Sequence, residues 1–236
     1  MGLRSMKQSL RGEPERICIS ITETILKKAL KAVREANRFA DLIELRMDYL
    51  REPELATLME DRQKPFIVTN RRKEKGGRYQ GDERRRLRIL NEAIDLGAEY
   101  VDVEMDNERK WVHDLIANKK GTQVILSFHD FQGTPSQGDL RRLYHHMIRL
   151  KPDLVKMVPF ANSWEDNFRV LSLIPYAGER KQRIIAFCMG EKGKMSRIFA
   201  PFMGAAWTYA SLNEERASAP GQLTAREMKG IWERLR

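Results

Sequence analysis

The fold this sequence predicts is a (β/α)8 TIM barrel, and three observations predict it. Short runs rich in β-branched residues alternate with amphipathic helical stretches almost from end to end. The alternation makes eight strand–helix units, roughly one per 28 residues, and strict alternation implies a parallel sheet. No G-x-G-x-x-G follows the first run, which argues against an open, dinucleotide-binding sheet. No Pro/Gly/Ser-rich linker divides the 236 residues, of which 42% are hydrophobic. The chain therefore reads as one α/β domain over 1–236, with 1–15 a basic N-terminal extension.

The elements follow in order. ICISI (17–21) is the first strand, a short apolar run of the type that parallel sheets bury. ETILKKALKAVREANRF (23–39) has a helical pattern, and LIELRM (42–47) and FIVTN (66–70) are the next two strands. ERRRLRILNEAIDLG (83–97) is helical, with Leu87, Leu90, Ile94 and Leu96 as its apolar stripe. YVDVEM (100–105) and QVILSF (123–128) give strands four and five, and GDLRRLYHHMIRL (138–150) a helix after them. DLVKMV (153–158) and RIIAFCM (183–189) are strands six and seven. KGKMSRIFAPFMGAA (192–206) holds Pro201 and two glycines, so its helix is short or interrupted. WTYASL (207–212) is the eighth strand, and TAREMKGIWERL (224–235) the closing helix, with Thr224 and Glu227 at capping-box spacing.

Composition excludes several classes. Only Cys18 and Cys188 occur, both in apolar surroundings, so reduced thiols are expected rather than a disulfide scaffold. The N-terminus lacks an apolar signal-peptide core, and no apolar stretch approaches the roughly 20 residues that span a bilayer. A soluble, cytoplasmic protein without a membrane partner is expected. The formal charge of +10 raises nucleic acid as a partner, and arginine is dense over 71–88. Most of those arginines fall on the outer face of a helix, however, and no nucleic-acid motif accompanies them. The charge better suits attraction of an anionic metabolite.

In a barrel of this type the chemistry sits at the C-terminal ends of the strands. Alternation along a strand puts Glu44, Arg46 and Asp48 on one face, and Asp102 and Glu104 on one face of strand four. Ser20 lies late in strand one, Arg71 follows strand three, His129 ends strand five and Lys156 sits within strand six. A salt-bridged layer closing the barrel would explain the paired charges, but it does not require polar residues to gather late in their strands. His113, His145 and His146 lie on helix patterns and read as structural or solvated. Neighbouring strands are about 4.8 Å apart, so Lys156 and His129 can serve one reacting carbon. A lysine in a low-polarity pocket near other cations keeps a fraction of neutral amine, which attacks a ketone. The iminium acidifies the neighbouring carbon, and an imidazole removes its proton. Arginines clamp a carboxylate by paired hydrogen bonds. The residues thus point to a Schiff-base enzyme for a small anionic ketone.

ELRMD (44–48), Arg71 with a following Gly-Gly, VDVE (101–104), SFHDF (127–131), VKMVP (155–159), the MG…G…SR stretch (189–197) and SAPGQ (218–222) occur in that order, each at a strand end. Together they resemble the type I 3-dehydroquinate dehydratases, from about residue 16 to the C-terminus. The resemblance implies dehydration of 3-dehydroquinate to 3-dehydroshikimate, without metal or cofactor, by a homodimer. It implies that Lys156 forms the imine and that His129 moves the proton. Arg197 would bind the carboxylate, Ser218 and Gln222 would close over the ring, and Ser20, Glu44, Arg46 and Arg71 would line the rest. Two positions, Lys75 and Phe128, depart from the family pattern. Lys75 stands where a glutamate usually precedes the Gly-Gly, with Glu74 one residue earlier, so the carboxylate that orients His129 is unassigned. Phe128 replaces a common asparagine, and Tyr209 stands where an aromatic ring from strand eight is expected.

Two other readings compete. A class I aldolase or transaldolase also forms an imine on a barrel lysine, but typically handles sugar phosphates, whereas Arg197 and SAPGQ suit a carboxylate. A basic RNA-binding barrel would retain RNA in a salt-sensitive way that does not depend on Lys156.

Overall fold

The computed structural model describes residues 16–236, so the extension expected at 1–15 lies outside the described residues. The strands are β1 (Ile17–Ile21), β2 (Leu42–Arg46), β3 (Phe66–Thr69), β4 (Tyr100–Glu104), β5 (Gln123–Asp130), β6 (Leu154–Pro159), β7 (Arg183–Ala186) and β8 (Thr208–Ala210). They form one parallel sheet in the order β7-β6-β5-β4-β3-β2-β1-β8. Across the seam between the two end strands, the Ala206 N–H donates to the Ile184 carbonyl at 2.8 Å, which leaves the barrel nearly closed.

The helices are α1 (Leu26–Ala36), α2 (Leu55–Glu60), α3 (Glu83–Asp95), α4 (Arg109–Ala117), α5 (Gln137–Ile148), α6 (Glu165–Leu171), α7 (Leu173–Gly178), α8 (Lys194–Phe199) and α9 (Ala225–Leu235). Each long helix turns an apolar stripe to the sheet; in α3 it is Leu87, Leu90, Ala93 and Ile94. Asp82 caps α3 and Ser136 caps α5 through side-chain acceptors, and Thr224 with Glu227 forms the expected capping box on α9. The interrupted seventh helix is also present: α8 is six residues long, and Pro201 opens a separate 3-10 turn after it.

Two strand boundaries move in ways that matter to the site. β5 runs two residues past the expected end, so His129 pairs with Val158 of β6 and is fixed by the ladder instead of hanging on a loop. β7 stops at Ala186, three residues early. The neighbouring strand ends there in Pro159, which supplies no N–H to continue the ladder. Beyond the break, Met189 rejoins by donating to the Pro159 carbonyl at 2.8 Å.

Candidate active site

Strand register decides which groups meet. Ser20 of β1 lies opposite Glu44 of β2, and Ser127 of β5 opposite Lys156 of β6, so these side chains share the barrel interior. Lys156 is 4% exposed. Its Nζ lies 3.1 Å from Asp102 Oδ2 and 3.7 Å from Glu44 Oε1, and 4.2 Å above the Tyr209 ring. The neighbours nearest the amine are therefore two carboxylates, where the sequence suggested cations; Glu44 and Asp102 point inward from β2 and β4 and reach it first.

Both carboxylates are held in turn. Glu44 accepts from the Ser20 hydroxyl at 2.6 Å and the Thr69 hydroxyl at 2.8 Å. Asp102 accepts from the Ser127 hydroxyl at 2.7 Å and from Arg71 Nη2 at 2.8 Å. Burial alone would raise the Asp102 carboxyl, yet Arg71 and Lys156 outweigh it and hold the group well below the ordinary carboxylate range. The Arg46 guanidinium makes a two-pronged pair with Asp48 at 2.9 and 2.8 Å. Asp48 also accepts the Arg78 N–H at 3.0 Å, which ties the segment after β3 to β2.

His129 sits beside this network, its Nδ1 3.4 Å from Arg71 Nη1. Burial, then the positive charges of Arg71 and Lys156, push its imidazole well below the ordinary histidine value. The ring is thus neutral, the form that accepts a proton. Glu74 is exposed and Lys75 pairs with Asp106 at 2.5 Å; among the described residues neither makes a hydrogen bond to His129.

The opposite wall carries Arg197, 1% exposed and stacked 4.6 Å over the Phe187 ring. Its Nε and Nη2 are buried without a hydrogen-bond partner. Burial pushes this guanidinium down to about 10. A desolvated cation of this kind is costly unless an anion joins it. Above it lies the segment after β8, where Gln222 Oε1 accepts from the Ser218 N–H at 2.7 Å and the Ser218 hydroxyl at 3.1 Å. The Gly190 N–H anchors that segment by donating to the Pro220 carbonyl at 3.0 Å.

Ser20, Glu44, Arg46, Arg71, His129, Lys156, Arg197, Ser218 and Gln222 all line one cavity of about 190 Å³. Reading the sequence missed Thr69, Ser127 and Phe187 as members of this neighbourhood. Thr69 and Ser127 carry the signal of a polar residue near a strand end, whereas Phe187 reads only as core. Cys18 and Cys188 are buried free thiols. His145 is structural, its ring 2.8 Å from the Tyr176 hydroxyl, and the His113 side chain is 79% exposed.

Such a mouth, with an amine, a neutral imidazole and an uncompensated guanidinium around one small cavity, defines the class: a (β/α)8-barrel enzyme working at the C-terminal ends of its strands. A profile of the family described as type I 3-dehydroquinase matches residues 17–235. The chain belongs to that family, whose members are hydro-lyases. A 3-dehydroquinate dehydratase of Thermococcus gammatolerans is 42% identical over 209 residues, covering 87% of this chain and 92% of that protein. One of Desulfotalea psychrophila is 34% identical over 222 residues, covering 93% and 97%. The crystal structure of 3-dehydroquinate dehydratase from Geobacillus kaustophilus HTA426 superposes with a TM-score of 0.86 at 27% identity, covering 95% of this chain and 92% of that one. Among the described residues no helix is long and apolar enough to cross a membrane.

Proposed function

We propose that the chain, acting as one domain, converts 3-dehydroquinate to 3-dehydroshikimate through an imine on Lys156. The observation that carries the reading is the opening of the Lys156 amine and the neutral His129 imidazole onto one cavity. Lys156, its proton lost to solvent, attacks the ring ketone as the neutral amine, with Asp102 and Glu44 beside the nitrogen. The carbinolamine loses water to give an iminium. His129 takes a proton from the adjacent carbon, leaving an enamine, and then returns it to the departing hydroxyl. Hydrolysis of the conjugated iminium frees the amine and releases an enone, with one water lost overall. Arg197 pairs with the substrate carboxylate, which supplies the anion its buried guanidinium lacks. Arg46, Arg71, Ser20 and Glu44 bind hydroxyls and hold the ring, and Ser218 and Gln222 cover it.

The test is borohydride reduction in the presence of substrate, followed by peptide mass analysis. A reduced adduct on Lys156 is expected, and an unmodified Lys156 in an enzyme that turns over would refute imine catalysis. Growth of ultraviolet absorbance from the enone separates this reaction from an aldolase, which leaves that signal flat. The reading includes a cytoplasmic homodimer, for which sedimentation of the purified protein is the check on oligomeric state.

A further inference from the structure

Arg86 is a buried cation that the reaction above does not use. The sequence placed the arginines of 71–88 largely on an outer face, yet the Arg86 side chain is 0% exposed. It lies on the apolar stripe of α3, four residues before Leu90 and seven before Ala93. Its fork joins the ends of two strands. Nη1 donates to the Asn70 carbonyl, at the residue before Arg71, at 2.5 Å. The same nitrogen is 2.9 Å from Glu104 Oε2, an ion contact outside hydrogen-bond alignment. Nη2 donates to Asn107 at 3.2 Å, and Nε and Nη2 also grip Glu83 at 2.9 and 2.8 Å.

From Glu104 the contacts continue inward. Glu104 Oε1 lies 3.6 Å from Arg71 Nη1, and that nitrogen lies 3.4 Å from His129 Nδ1. Glu104, Ser127, Lys75 and His129 also line a second cavity of about 160 Å³. Glu104 and Asp106 are the carboxylates that share this wall with the imidazole; Asp106 pairs with Arg72 and Lys75, which leaves Glu104 in place of the glutamate absent at Lys75. Stability alone is a weak reason to bury such a pair, because apolar side chains of similar volume usually serve as well or better.

We propose that Arg86 is a positioning residue for proton transfer: it holds Glu104, and through it Arg71, so that the His129 ring is presented to the substrate in one orientation. The inference rests on the reading of His129 as the base. The charges around that ring are Arg71, which follows β3, Asp102 and Glu104 from β4, Lys156 from β6, Glu44 and Arg46 from β2, Lys75 from the segment after β3 and Asp106 from the segment after β4. Removing the Arg86 charge leaves Glu104 less compensated, so the field at the imidazole becomes less positive and the imidazole more basic.

The test compares Arg86→Gln and Arg86→Lys in the full chain. Arg86→Gln is expected to lower kcat about 100-fold per folded molecule, with a smaller rise in KM as Arg71 loosens. The acid limb of its kcat/KM profile should move up by roughly half a pH unit or more, and Arg86→Lys should restore much of that position. A normal kcat and an unmoved limb in folded Arg86→Gln would overturn the proposal, whatever happens to its melting temperature. If Arg86→Gln does not fold, Glu104→Gln decides: a limb moved to lower pH with reduced kcat supports the relay, and an unchanged profile overturns it. Borohydride trapping separates the two layers. Absence of an adduct in the parent enzyme removes the imine reading itself, whereas an adduct there together with normal Arg86→Gln kinetics removes only the role of Arg86.

Discussion

At the scale of single residues the proposed mechanism divides the site into groups that react and groups that hold charge. His129 is neutral because burial and two neighbouring cations disfavour its protonated form. A base of this kind fails only when pH drops below its depressed pKa, so the acid limb of kcat/KM is expected well under the ordinary histidine value of about 6.5. The same shift has a stability consequence with a definite sign. Between the unfolded value of about 6.5 and the folded one, only the unfolded chain binds the proton, so stability falls as pH drops through that window. Urea midpoints across it should show the loss in the parent and less of it in His129→Ala. That variant should also lose turnover by roughly 10²- to 10⁴-fold while still forming the trapped adduct on Lys156. Normal turnover in it would remove the assigned role. For Arg197→Ala, loss of the only cation proposed for the carboxylate is worth roughly 2–4 kcal/mol, a 30- to 1000-fold rise in KM with a smaller change in kcat. An unchanged KM would mean that the carboxylate binds elsewhere.

At the scale of elements, the segment after β8, proposed to cover the substrate, is held by backbone geometry. Gly221 has φ +73°, and a Cβ there would come within 2.1 Å of the Gly190 carbonyl oxygen. Backbone cannot yield as a flexible side chain does, so Gly221→Ala must lift the segment carrying Ser218 and Gln222. Strain of roughly 1–3 kcal/mol predicts a 5- to 150-fold higher KM with Lys156 still trappable at saturating substrate. Substrate titration of the variant checks it, and parental KM would show that this segment does not cover the ligand. Much of this organisation was legible beforehand. β-Branched runs and helical stripes gave the order of elements, and alternation put Glu44 and Asp102 on the faces they occupy. What one sequence hides is which inward residues meet. The contact of Lys156 with two carboxylates depends on register between β2, β4 and β6, which no local pattern encodes. Arg86 was hidden for another reason: arginine on a helix ordinarily reads as solvated, and only its coincidence with the Leu90 stripe marked it as buried.

At the scale of the whole molecule, the question is where the formal charge of +10 acts. Within the site the charges nearly balance. Arg46 faces Asp48, Arg71 faces Asp102, Arg86 faces Glu104, and Lys156 lies near Glu44. Arg197 stands apart, with desolvation as the dominant influence on it. The excess therefore belongs mainly to the exterior, where exposed Arg78, Arg85 and Arg88 border a groove beside the mouth. Exterior charges act on an approaching anion over a distance set by the Debye length, about 10 Å at 0.1 M salt and about 3 Å at 1 M. Arg197 acts at contact in a buried wall, where salt screens little. Raising ionic strength should therefore lower kcat/KM several-fold through slower capture, while kcat at saturation stays level. Reversing the sign at Arg85 and Arg88 together should reproduce the high-salt value at low salt, since both are exposed and outside the cavity. Steady-state kinetics across a salt series decides it: if kcat/KM is flat, the surplus charge contributes nothing to substrate capture, and the buried guanidinium alone accounts for the selection of an anion.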